Sequence, residues 1–247
     1  MKIGGSIALV TGANRGLGRA LVDALLQAGC ARIYAGARDI ENVAPDGVVK
    51  PIQLDITNAE HIARAAAQCR DVSILINNAG VARFSPSLEA PTMEHARLEM
   101  DTNYFGTLAM CRAFAPVLKR NGGGALVNIL SVASWFSVPM QGSYCASKAA
   151  EWSLTKSVRH ELRSQRTLVA AMYAGYIDTD MARDVPFPKT SAATIAARVL
   201  AGIENDSEEI LADQRAEATH SELFKDAGPF EAGMQKIWDA RKRDQAG

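Results

Sequence analysis

Ile7-Ala8-Leu9-Val10-Thr11-Gly12-Ala13-Asn14-Arg15-Gly16-Leu17-Gly18 is an apolar run that stops at a cluster of glycines. Ile7 to Val10 has the β-branched and aliphatic character of a buried parallel strand. An amphipathic stretch, Arg19 to Ala28, follows the glycines, and Gly29 ends it as a C-cap glycine would. Strand, glycine turn and helix together give the cluster a meaning that an isolated tight turn lacks. Bare Cα atoms let a pyrophosphate approach the backbone, and a helix N-terminus offers N–H donors and the positive end of its dipole. The stretch therefore predicts a dinucleotide-binding turn, with Gly12, Asn14, Arg15, Gly16, Leu17 and Gly18 on the phosphate side.

The next strand, Arg32 to Ala37, closes on Arg38-Asp39. An acidic residue at such a place serves an adenosine ribose, whereas arginine accommodates an added 2′-phosphate. Arg38, with Arg15 able to reach the same place, favours NADP(H) through charge-assisted bonds, with NAD(H) as the other option. Asp39 is the competing reading, since it could serve the ribose while Arg38 points to solvent.

The same alternation continues along the chain. Gly47 to Leu54 reads as a third strand, ending at Asp55-Ile56, and Asn58 caps a helix over Ala59 to Ala67. Asp55 reads equally as an adenine contact or a turn aspartate. Val72 to Ile76 is a fourth strand, closing on Asn77-Asn78-Ala79-Gly80, whose small and amide side chains leave room for a ribose and can brace the sheet. A proline-bearing loop, Phe84 to Pro91, precedes a long helix from Met93 to Lys119. Asn103 inside that helix is a poor helix-interior residue and must bond something specific. Ala125 to Ile129 and Thr167 to Tyr173 are further strands, with Ser131 just past the first. The residues after the second, Ala174 to Thr179, include Gly175 and Ile177. Met181 to Ser191 reads as a loop, Thr194 to Ile203 as a helix and Glu209 to Ala212 as a last strand. The tail, Gln214 to Gly247, is polar with two helical stretches. Alternating strands and helices imply an α/β, Rossmann-type doubly wound parallel sheet of about seven strands. Without repeat, linker or low-complexity tract, residues 1–247 read as a single domain carrying both cofactor and substrate sites.

Composition narrows the function. Lys+Arg and Asp+Glu both number 27 among 247 residues, with no basic tract, which argues against a nucleic-acid partner. No apolar run would span a bilayer, and the N-terminal run is too short for a signal peptide. Cys30, Cys69, Cys111 and Cys145 lack metal-ligand spacing and read as thiols of a reducing, cytoplasmic setting. No metal site is expected.

Tyr144 and Lys148 lie four apart in the helix-favouring run Gly142 to Arg163 and so share one face. A tyrosine of ordinary pKa about 10 needs an adjacent cation to transfer protons near neutrality. Ligands in open parallel sheets bind outside the strands' carboxyl ends, which sets Ser131 to meet Tyr144.

The ordered set Thr11-Gly12, Gly16-Leu17-Gly18, Asp55, Asn77 to Gly80, Asn103, Ser131, Tyr144, Lys148 and Gly175 to Thr179 resembles the short-chain dehydrogenase/reductase family over essentially the whole chain. One departure is Ala174, where the family usually has proline. The resemblance implies an oxidoreductase that interconverts a ketone and a secondary alcohol. In it Tyr144 is the general acid/base, Lys148 lowers its pKa and binds the nicotinamide ribose, and Ser131 holds the substrate oxygen. It makes Asn103 the holder of a water that links Lys148 to solvent, lays Asn78 and Gly80 along the cofactor, and puts Ile177 and Thr179 at its carboxamide. A homo-oligomer, tetramer or dimer, is also implied, through the faces around Met93 to Lys119 and Glu151 to Leu162. Trp135, Tyr176 and Met181 read as an apolar substrate lining, suited to an apolar or aromatic carbonyl compound. The short segment from Thr179 to Thr194 predicts a small lid over a fairly open site. Two alternatives stand beside carbonyl reduction. One is a dinucleotide sensor without turnover. The other is a 3-ketoacyl-carrier reductase, which needs a basic patch from residues such as Arg83, Lys119 and Arg120.

Overall fold

The computed structural model describes residues Met1 to Ala246. Seven parallel strands form the central sheet in the order β3-β2-β1-β4-β5-β6-β9. These are β1 (Ile7–Thr11), β2 (Arg32–Ala37), β3 (Val49–Gln53), β4 (Ile74–Asn77), β5 (Gly124–Ile129), β6 (Thr167–Tyr173) and β9 (Glu209–Leu211). The order reverses between β1 and β4, so a crevice opens there at the strands' carboxyl ends.

Side-chain alternation sorts the core into two layers. Ala8 and Val10 of β1, with Ile74 and Ile76 of β4, pack against α1 (Gly16–Gln27) and α6 (Ala192–Glu204) through Leu21, Leu25, Ile195 and Val199. Leu9 and Leu75 point the other way. They meet α2 (Ala59–Gln68), α4 (Thr107–Arg120) and α5 (Gly142–Leu162) through Ile62, Phe114 and Leu154. Burial on both faces is why these strands read as unbroken apolar runs.

The long helix expected from Met93 is continuous but not uniform. α3 (Glu94–Glu99) passes into a π-helical turn, Met100–Gly106, before α4 begins. Single π turns widen a helix locally and concentrate at functional sites. Asn103 sits in this turn. The loop expected from Met181 also carries structure. β7 (Ile177–Asp178) pairs in parallel with β8 (Thr190–Ser191), whose Ser191 caps α6 by accepting from the Thr194 N–H. The tail forms α7 (Gln214–Leu223) and α8 (Gly228–Ala246). A small third cluster, with Leu130, Val132 and Tyr173, receives Ala216 of α7. The four cysteines are free and buried. No helix is long and apolar enough to cross a membrane among the described residues.

Candidate active site

The glycine turn is built for close approach. Gly12 has φ +65°, and a Cβ on it would lie 3.0 Å from the Cα of Ala79. A Cβ on Gly18 would lie 2.0 Å from the Gly12 carbonyl oxygen, so no other residue fits without moving backbone. The N-terminus of α1 has neither a side-chain cap nor an acidic residue in its first turn. Its N–H groups thus remain available to an anion, and a pyrophosphate is the group this cradle suits. Leu17 contributes only backbone here, because its side chain lies in the core. Asn14 is half-buried in the same loop.

The amide side chains after β4 turn out to be braces. Asn78 Nδ2 donates to the carbonyls of Thr11 (2.8 Å) and Gly12 (3.2 Å), while Thr11 Oγ1 accepts the N–H groups of Asn78 and Ala79, each at 2.9 Å. Asn78 therefore shapes the glycine turn from behind. Asn77 Nδ2 donates to Asn128 Oδ1 (2.9 Å), tying β4 to β5. Gly80 leaves the space in front of the reacting groups clear: its Cβ would lie 3.2 Å from Asn103 Oδ1 and 3.7 Å from Lys148 Nζ.

The acidic side chains after β2 and β3 bond their own turns. Asp39 accepts from the Glu41 N–H and from Asn42 Nδ2, so its carboxylate closes a local turn. Arg38 is exposed and close enough to Asp55 to help hold its carboxyl below the usual range. Burial pushes that carboxyl up, and the Thr57 N–H and hydroxyl, with Arg38 and His61, outweigh it. Asp55 Oδ1 accepts both Thr57 donors, which makes it a turn aspartate through that oxygen. Ile56 is buried against Gly106, where a Cβ would meet its side chain at 2.8 Å. Arg15 stands exposed on the glycine turn. Its guanidinium reaches Asp180 (3.7 Å) across the glycine turn, because the stretch after β7 lies there: a Cβ on Gly16 would meet Thr179 at 3.2 Å.

Asn103 is fully buried and bonds on both sides of its amide. Its Oδ1 accepts from the Val81 N–H, and its Nδ2 donates to the Val81 carbonyl and to Ser147 Oγ, all at 2.9 Å. Both amide hydrogens are committed to the protein. The expected water holder is thus first a clamp between the loop after β4 and α5. Glu99, also fully buried, adds a second clamp by accepting from the Arg83 N–H (2.7 Å) and Ser143 Oγ (2.5 Å).

Tyr144, Ser131 and Lys148 come together as their spacing implied. Tyr144 is half-buried, and Lys148 is 6% exposed. Burial raises the phenol pKa, while Lys148 and a hydrogen bond from Ser131 pull it down and Glu151 pushes it up; the net direction is upward. The expected downward pull of Lys148 is present, but burial outweighs it. Lys148 Nζ donates to the Ile129 carbonyl (2.9 Å) and to Glu151 Oε2 (2.7 Å). Burial disfavours its charge, yet Glu151 and Tyr144 raise its pKa overall. Glu151 was not legible beforehand, since a glutamate three residues after a helical lysine is usually a solvated pair.

Aromatic contacts organise the segments on the substrate side. Trp135 packs on Tyr173 (centroids 4.3 Å), His220 (5.3 Å) and Phe224 (6.0 Å), so its ring anchors α7. Phe136 meets Phe230 of α8 at 4.5 Å, and Arg241 of the same helix pairs with Glu89 at 2.6 Å. Helix α8 thus runs from the segment after β5 to the loop after β4 and roofs the site. Tyr176 stacks on Phe187 (5.7 Å, 10°), and Met181 is 47% exposed. Gly175 lacks a neighbouring proline, and the loop is fixed instead by Asp213, which accepts the Gly175 N–H (2.9 Å) and caps α7.

Known proteins share this fold. A family profile described as short chain dehydrogenase matches residues 6–188. The crystal structure of a short chain dehydrogenase from Burkholderia cenocepacia in complex with NADP superposes with a TM-score of 0.92 at 43% identity, covering 95% of this chain and 99% of that one. A Drosophila melanogaster dehydrogenase/reductase SDR family protein 7-like is 31% identical over 192 residues, 72% of this chain but only 59% of the relative. A 3-oxoacyl-acyl-carrier-protein reductase from Vibrio cholerae is 31% identical over 219 residues, 85% of this chain and 88% of the relative. The chain belongs to the short-chain dehydrogenase/reductase family of nicotinamide-dependent oxidoreductases.

Proposed function

We propose that the protein is an NADP(H)-dependent carbonyl reductase that converts apolar or aromatic ketones into secondary alcohols. The observation that carries this reading is the convergence of Ser131, Tyr144 and Lys148 at the carboxyl ends of β4 and β5, with Lys148 buried and charged. Gly12, Gly16 and Gly18 with the N-terminus of α1 would hold the pyrophosphate, Lys148 the nicotinamide ribose, and Ile177 and Thr179 the carboxamide. The bound cofactor supplies a hydride to the carbonyl carbon. Ser131 holds the carbonyl oxygen, and Tyr144 gives it a proton, which completes the alcohol. A phenol whose pKa is raised is protonated at neutral pH, which suits donation. In the reverse direction the phenolate is the base, so oxidation gains as pH rises.

Preference for NADP(H) rests on Arg38 standing exposed at the end of β2 while Asp39 is occupied by its own turn. The apolar substrate class rests on the stacked Tyr176 and Phe187 and on exposed Met181. Exposed Met93 and Phe105 on the α3–α4 stretch support a homo-oligomer through that face. A 3-ketoacyl-carrier reductase is the second reading, favoured by the Vibrio relative. Lys119 and Arg120 close α4 at the opposite end of the sheet from Tyr144, so they cannot guide an acidic carrier to the site. The test is a panel of aryl ketones, keto esters, steroids and a ketoacyl thioester, assayed by NADPH and NADH absorbance. Faster turnover of aryl ketones with NADPH is expected. Turnover confined to the thioester would select the second reading, and dinucleotide binding without any turnover would select a sensor.

A further inference from the structure

Glu151 is a buried carboxylate that the proton-transfer scheme above does not use. Its side chain is 2% exposed and that of Lys148 is 8% exposed. Glu151 Oε2 lies 2.7 Å from Lys148 Nζ, and Oε1 lies 3.4 Å from the hydroxyl of Thr107 on α4. Its main-chain carbonyl accepts from Thr155 Oγ1 (2.7 Å), which in turn accepts from Asn128 Nδ2 (2.9 Å) on β5. Glu151 thus bonds α4 through its carboxylate and links α5 to β5 through its main-chain carbonyl and Thr155. Burial raises the pKa of the Glu151 carboxyl overall, while the Lys148 ammonium at 2.7 Å and the Thr107 hydroxyl pull it down and hold the pair as ions.

The surroundings hold no competing charge. The titratable groups that face the pair are Tyr144 on α5 itself and Cys111 from α4. Burial, with Glu151 adding to it, pushes the Cys111 thiol up to about 12, so it stays neutral. From β5 comes only the Ile129 carbonyl, and the π turn supplies only the neutral Asn103. Tyr144 therefore feels one ammonium and one carboxylate, with the thiol of Cys145 beside it, whose pKa burial raises. An ammonium nearby favours the phenolate, and a carboxylate nearby disfavours it.

We propose that Glu151 is a positioning residue that anchors the Lys148 ammonium and, by its own charge, keeps Tyr144 protonated to higher pH than Lys148 alone would allow, biasing the site towards carbonyl reduction. This rests on reading Tyr144 and Lys148 as the proton-transferring pair. A carboxylate paired to the activating lysine trades basic strength at Tyr144 for a fixed ammonium. The third N–H of Lys148 remains for a ribose hydroxyl on the side that Gly80 leaves clear.

The ionisation of Tyr144 can be followed in the full-length protein by ultraviolet difference absorbance of the phenolate. The Tyr144→Phe counterpart of each variant is subtracted, and circular dichroism checks folding. Glu151→Gln keeps shape and removes charge, and it should lower the Tyr144 midpoint by about one pH unit or more. The acid limb of alcohol oxidation should move down with it. Glu151→Asp keeps the charge and should restore most of the wild-type midpoint. Glu151→Met, similar in size and uncharged, should shift the midpoint in the same direction, and it serves if Glu151→Gln does not fold. An unmoved or raised midpoint in whichever uncharged variant folds overturns the proposal. Turnover retained by Tyr144→Phe would instead remove the underlying pair, a separate result.

Discussion

The floor and the roof of the site are held by different physics. The floor is a buried polar lattice on the carboxyl ends of β1, β4 and β5, in which Asn78, Asn77, Asn128, Asn103 and Glu99 each bond backbone or other buried groups. The roof is α8, attached by aromatic contacts at Phe136 and ion pairs at Glu89 with Arg241 and Lys242. Buried hydrogen bonds are expensive to leave unmade, whereas exposed ion pairs contribute little. The floor should therefore fix the chemistry, and the roof should tune what enters.

The largest effect expected from breaking this contrast lies at Gly18. Gly18→Ala puts a Cβ into the Gly12 carbonyl and should abolish NADPH binding, measured by fluorescence titration, if the chain still folds. Next, Asn103→Ala orphans both the N–H and the carbonyl of Val81. It should cost about 1–3 kcal/mol for each stranded group in thermal or urea unfolding and lower kcat with it. Arg38→Ala is narrower. It should weaken NADPH by roughly ten- to a hundredfold, the worth of one charge-assisted bond to phosphate, and leave NADH nearly unchanged. Equal loss for both dinucleotides would sink the cofactor preference. Smallest is the roof: Arg241→Ala with Lys242→Ala should raise KM for bulky ketones and leave kcat near wild type. A fall in kcat for every substrate would mean that α8 belongs to the floor.

Legibility in the sequence follows the same divide. Parallel strands buried on both faces announce themselves as apolar runs, and β6 was placed at its observed ends, Thr167 to Tyr173. The glycine turn was readable because Gly12 and Gly18 have no substitute where they stand. Spacing brought Tyr144 over Lys148 because a helix has a fixed period. The partner of Lys148 was not readable, because a Glu151 on a helix looks solvated until α4 is packed over it. Nor was the roof, since Trp135 and Phe136 fit a substrate lining as well as they fit the aromatic edges of α7 and α8. The ion pair of Arg15 was not readable for a related reason: Asp180, distant in sequence, lies across the turn from it.

Single-turnover reduction of an aryl ketone by enzyme preloaded with NADPH, compared between the wild type and Tyr144→Phe, tests the central claim most directly. The account predicts that the reduction rate falls by at least about a hundredfold, the lower bound for loss of a general acid, while the dissociation constant for NADPH stays the same. A Tyr144→Phe enzyme that reduces the ketone at close to the wild-type rate would contradict it.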